Sequence, residues 1–277
     1  MSTITTPRTT PTTMPEARAD PPGRNPFRLV RHSLALARRS LIKTLRTPEQ
    51  LLDVTLQPVI FVVMFVYLLG GAVAGSQHEY LQFLLPAIMV QTVLFASIAT
   101  GVSLNTDIKK GVFDRFRSLP IARSAPLVGS VLGDMIRFVV SITVLMGFGY
   151  ALGFRIGTNP LAMLAAFGVA IAFAFAVTWI FVLVGMLMRE PGAVQGTAFL
   201  VLFPLTFGTN MLVPTDTLPG WLQAWVKINP VTDVMEAVRG LLVGGPVASP
   251  VLTSLAWSAG IVAVFAPLAV RAYRRRA

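Results

Sequence analysis

Six apolar runs set the terms for this chain: residues 54–74, 83–104, 128–154, 161–188, 193–213 and 251–270. Helix rises about 1.5 Å per residue, so a run of about 20 residues crosses the roughly 30 Å of hydrocarbon in a bilayer. In that medium the backbone has no water to bond, and a single segment satisfies itself only as a helix. The composition fits, with 54% hydrophobic residues and 13% charged, too few charges to coat a soluble protein of 277 residues. The expected fold class is an all-α integral membrane protein with six transmembrane helices. Pro204 falls inside the fifth run, where a kink is expected.

Charge orients these runs. The net charge is +11, and the basic residues are grouped: nine Lys/Arg precede the first run, five lie between the second and third, and four follow the last. The opposite connections hold Arg155, Lys227 and Arg239. The excess of Lys and Arg marks the cytoplasmic side, so a multi-pass protein of the cell membrane is expected, with both termini and the central loop in the cytoplasm. Charge that flanks apolar spans in this way is orientation information, and no nucleic-acid partner is expected from it.

Three regions follow. Residues 1–26, rich in Thr, Pro and Arg without an apolar run, read as a disordered cytoplasmic tail. Residues 27–47 place Phe27, Val30, Leu34, Ala37, Leu41 and Leu45 at helical spacing with Arg28, Arg39, Lys43 and Arg46 beside them, an amphipathic interfacial helix. Residues 48–277 form the six-helix transmembrane domain. Before its last span, Trp221, Leu222 and Trp225 share one helical face. After Asn229-Pro230, Val231, Val234, Met235, Val238, Leu241 and Leu242 form an apolar stripe with Asp233, Glu236 and Arg239 off it. Two short re-entrant helices, dipping into the outer leaflet and capping the bundle, are expected here.

Several chemistries are absent. No Gly-x-x-x-x-Gly-Lys-Ser/Thr loop occurs, and the polar segments are too short to fold a nucleotide-binding domain. There is no cysteine, His32 and His78 lie far apart, and no His-Glu-x-x-His occurs, so neither an enzyme nor a metal site is expected. Acidic residues sit at the edges of the runs, which argues against a proton-coupled carrier. Near the start of the third run, Asp134 and Arg137 stand i, i+3 and can pair.

What remains is the loop between the second and third runs. Asp107, Lys109, Lys110, Asp114, Arg115 and Arg117 supply mixed charge, Phe113 and Phe116 supply apolar anchors, and Leu119-Pro120 stops a helix. Aromatic and Arg anchors on a short element suit protein recognition. The plainer alternative is that these charges only enforce topology and touch lipid headgroups.

The run Phe113-Asp114-Arg115-Phe116-Arg117-Ser118-Leu119-Pro120-Ile121-Ala122-Arg123, with Asp134 after it, resembles the cytoplasmic loop of ABC type-2 transporter permeases, particularly those of the daunorubicin-resistance kind. The segment from Ile228-Asn229-Pro230 to Gly240-Leu241-Leu242 resembles the same family, and the likeness extends from about Phe27 onward. The resemblance implies six spans, an interfacial helix, short re-entrant helices, a second permease copy and a separate ATP-binding cassette subunit. ATP and Mg would bind to that subunit, with no cofactor in this chain. It implies coupling through Asp107, Lys109, Asp114, Arg115, Arg117 and Pro120, with Arg38 and Arg39 on the surface helix. Trp221, Trp225, Asn229, Pro230, Glu236 and Arg239 mark the outer segment. The implied function is export of a hydrophobic drug, antibiotic or lipid. A secondary ion-coupled carrier and a non-transporting scaffold stay open as alternatives. Phe95, Phe173, Phe175, Phe203 and Phe207 either line a greasy path or face lipid, and lipid is favoured for most of them.

Overall fold

The computed structural model describes residues 48–111 and 125–276, with side chains over 56–111 and 130–273. The expected surface helix with Arg38 and Arg39, and the loop residues Asp114, Arg115, Arg117 and Pro120, lie outside the described residues.

The described residues are helical, without strands. In chain order they form α1 (Pro48–Ala74), α2 (Gln77–Lys109), α3 (Ala125–Ala151), α4 (Pro160–Leu187), α5 (Pro191–Phe207), a 3-10 turn (Thr215–Thr217), α6 (Gly220–Ile228), α7 (Pro230–Val243) and α8 (Ala248–Arg276). Five of them, α1, α2, α3, α4 and α8, are long and apolar enough to cross a membrane. The fifth run behaves differently: α5 has 17 residues, about 25 Å, and ends at Phe207 rather than continuing to residue 213. Pro204 sits in its last turn and the chain leaves the helix at Gly208.

Helix α2 is the hub, and α1, α3, α4, α5 and α7 all pack on it. In α2, 83% of the most apolar window is buried, against 17% in α1 and 11% in α8, so the last two present most of their surface outward. Ser76 caps α2 by accepting a 3.1 Å hydrogen bond from the Glu79 amide, and the helix runs for 33 residues, about 50 Å. This outruns a 30 Å hydrocarbon layer. Asp107 and Lys109 therefore stand on a helical extension of α2, not in a loop. Gly111, at φ +65°, supplies the left-handed residue that ends it.

Toward the C-terminal ends of both, α2 and α4 touch backbone to backbone. A Cβ on Gly101 would lie 2.4 Å from the Phe181 carbonyl oxygen, and one on Gly185 would lie 2.5 Å from that of Gly101. Small residues at such crossings let membrane helices approach closely. Helix α8 packs behind α4, and α7 closes the other end of the bundle against α2, α4, α5 and α8.

Candidate functional site

Helices α1 and α5 both pack on α2, and between them lies a cavity of about 340 Å³. Its α5 wall is a single stripe at spacing four: Gln195, Phe199, Phe203 and Phe207. Residues four apart stand above one another on a helix, so this stripe is a continuous aromatic rail. From α2 come Gln91, Thr92, Phe95 and Ala96, and from α1 come Gln57 and Phe61. The Phe95 and Phe199 rings meet across the groove at 5.4 Å, and Phe203 and Phe207 pair at 4.6 Å. Phe199 and Phe203 are 40% and 56% exposed, which makes the groove open along its side. Of the aromatics singled out in the sequence, Phe95, Phe203 and Phe207 line this groove. Phe173 is buried in the core, and Phe175 packs edge-on against Trp179.

One face of α2 carries the groove, and α3 sets a buried ion pair against α2. The Asp134 carboxylate accepts from the Thr100 hydroxyl and lies 3.2 Å from the Arg137 guanidinium, which also donates to the Ala96 carbonyl at 2.6 Å. Both charged side chains are only 14% exposed. The expected i, i+3 pair is present and buried, with Asp134 within about a turn of the start of the third span.

Near the C-terminal end of α2, Asn105 is 1% exposed and donates to the Gly185 and Met188 carbonyls, both at 2.8 Å. These are carbonyls at the end of α4 that have no helical partner. One turn further, Lys109 pairs with Glu190 at 2.5 Å, and Glu190 immediately precedes α5. Asp107 is half-buried on the same extension. The base of the central loop is thereby tied to the turn from which the groove's aromatic wall departs.

The outer segment is knotted to the bundle by the residues expected there. Asn229 caps α7, accepting from the Val231 amide at 3.0 Å, and donates to the Leu205 and Gly208 carbonyls at 2.8 and 3.0 Å. Pro230 takes the first helical position, where its missing N–H removes no bond. The Glu236 carboxylate accepts from Asn210 at 2.8 Å. Arg239 donates to the Phe83 carbonyl at 3.1 Å and the Asn210 carbonyl at 3.3 Å, with its guanidinium 3.9 Å over the Phe83 ring. Burial pushes the Arg239 guanidinium down to about 10 while the Glu236 carboxylate pulls it back up. Trp225 lies against Gly208, whereas Trp221 is 75% exposed. Two further residues, unremarked in the sequence, complete the knot. The Tyr80 hydroxyl donates to the Leu212 carbonyl at 2.8 Å, and Thr158 donates to the Leu241 carbonyl at 2.5 Å. Among the described residues no cluster of side chains suits a metal ion.

Residues 31–243 match the ABC-2 type transporter family. The chain is 46% identical over 256 residues to the daunorubicin resistance ABC transporter permease protein DrrB1 of Streptomyces coeruleorubidus, covering 92% of this chain and 90% of that protein. It is 30% identical over 258 residues to the probable doxorubicin resistance ABC transporter permease protein DrrC of Mycobacterium tuberculosis, covering 92% and 93%. A more distant relative, the putative transport permease ycf38 of Cyanophora paradoxa, is 26% identical over 219 residues, 78% of this chain and 75% of that one. A bundle of membrane-crossing helices with a knotted segment before the last of them, matched to one family model over most of its length, belongs to the ABC-2 type transporter permeases.

Proposed function

We propose that this permease is the membrane subunit of an ATP-driven exporter that moves a hydrophobic drug or antibiotic out of the cell. The observation that carries the reading is the groove between α1, α2 and α5. It is aromatic along its length, open at its side, and anchored at its inner end to the base of the central loop. The relatives are named for daunorubicin and doxorubicin resistance, which favours a drug over a lipid.

In this reading a separate ATP-binding cassette subunit binds ATP and Mg and grips the central loop through Asp107, Lys109, Asp114, Arg115, Arg117 and Pro120, with Arg38 and Arg39 alongside. A second permease copy faces the first. The chain crosses the membrane six times, α5 being the short crossing, and α6 and α7 re-enter the outer leaflet without crossing. Both termini are cytoplasmic, as the grouping of Lys and Arg favours. Arg115→Glu and Arg117→Glu are each expected to abolish export of a fluorescent drug from cells while the protein still reaches the membrane. Unimpaired export by both would remove the coupling role.

One feature would suit an ion-coupled carrier instead, the Asp134–Arg137 pair inside a span. Its charges are turned on each other, on the Thr100 hydroxyl and on the Ala96 backbone carbonyl, and neither side chain lines the groove that would carry cargo. Export that persists with an uncoupler and stops without ATP is the expected result. The opposite pattern would select the carrier, and no movement of drug in reconstituted vesicles would leave a membrane scaffold.

A further inference from the structure

The groove contains one polar group with nothing to bond. Gln91, midway along α2, is 4% exposed, and its amide nitrogen is buried without a hydrogen-bond partner. The hydroxyl of its neighbour Thr92, on the same wall, already donates a hydrogen bond to the Ile88 carbonyl at 2.7 Å. Buried polar groups are almost always paired, and an orphan amide in an otherwise apolar site is tolerated where a ligand completes it. Around Gln91 stand rings from all three helices, Phe61, Phe95, Phe199 and Phe203, and the volume falls in the range of drug-sized ligand sites. The other amides of the lining, Gln57 and Gln195, are exposed near the inner ends of α1 and α5. Gln91 is the one placed at the middle of the aromatic rail.

We propose that Gln91 is the specificity-determining residue of this groove: its amide N–H donates to a carbonyl-type acceptor on an aromatic cargo whose rings lie against the phenylalanines. The inference rests on the groove being the cargo path. Aromatic surface alone selects little, because flat hydrocarbon binds it without orientation. A fixed donor distinguishes cargo that carries an acceptor from cargo of equal shape that does not.

The test uses the permease purified in complex with its ATP-binding subunit and two probes of equal shape. These are 1-acetylpyrene and 1-isopropenylpyrene, in which a CH2 group replaces the carbonyl oxygen, with binding read from pyrene fluorescence. The native complex is expected to bind the acetyl probe about five- to tenfold more tightly, the value of one neutral hydrogen bond. In Gln91→Leu, and in the closer isostere Gln91→Met, that preference falls to about one while the isopropenyl probe binds as before. A preference that survives both changes overturns the proposal, as does dissociation of paired permease copies in Gln91→Leu with the preference intact, which would assign the amide to contact between copies. Phe199→Ala and Phe203→Ala are expected to weaken both probes alike. If neither does, the cargo-path reading itself fails, independently of Gln91.

Discussion

Asp134 stands at the balance between burial and pairing. A carboxylate removed from water loses far more hydration than one contact returns, and it is retained because Thr100 and Arg137 both address it while Arg137 reaches the Ala96 carbonyl as well. Removing one charge leaves the other without a counter-ion in a dry setting. Asp134→Leu is therefore expected to destabilise the protein by roughly 3 kcal/mol, whereas Asp134→Leu combined with Arg137→Met restores most of that loss. Thermal melting of the detergent-solubilised protein measures both, and a single change that melts like the native protein would show the pair to be solvated. Part of this was legible. The i, i+3 spacing announced the pair, but Thr100 is 34 residues away and on another helix, and no local pattern reports such a partner.

Among the elements, α5 shows what hydropathy conveys and what it misses. The apolar run continues to residue 213, yet the helix stops at Phe207, and carbonyls at and beyond its end are bonded from outside it. Asn229 donates to those of Leu205 and Gly208, and Tyr80 to that of Leu212. Hydropathy counts side chains and is blind to where backbone bonds go. The start of α7 was readable for the opposite reason: Asn followed by Pro is a local signal, a cap and a first-turn residue together. The aromatic rail was visible as a stripe, but in a bilayer both a groove and a lipid face are apolar, so periodicity could not say which one it met. Asn229 serves three bonds at one joint. Asn229→Ala is expected to lower stability by about 3 kcal/mol, combining a lost cap with two buried carbonyls left unpaired. Limited proteolysis of reconstituted protein should then cut between residues 208 and 219 faster than in the native chain. Unchanged melting and unchanged cleavage would show that the other contacts of α7 suffice.

For the whole molecule, the question is how a pull at one end alters a groove along the side. Helix α2 supplies the floor of the groove and, further along, the stem of the central loop. Helix α5 supplies the aromatic wall, and its first turn follows Glu190. Asn105 holds the end of α4 against the stem, and Lys109 holds Glu190, so a displacement of the stem reaches α5 through the turn as well as through the packed floor. The ion pair is 41% and 66% exposed at its two side chains, and as a stability element it contributes less than about 1 kcal/mol. Its consequence lies in transport. On the proposed function, Lys109→Glu sets two carboxylates against each other at the stem and is expected to reduce drug moved per ATP hydrolysed several-fold, with melting nearly unchanged. Adding Glu190→Lys restores the attraction with the charges exchanged and should recover most of the lost ratio. The measurement is drug uptake and phosphate release from the same inverted vesicles containing both subunits. Recovery in the double variant distinguishes a link between these two groups from loss of a Lys109 contact to the ATP-binding subunit, which the exchange would not repair. A single variant that transports at the native ratio would mean that the stem drives α5 through helix packing alone.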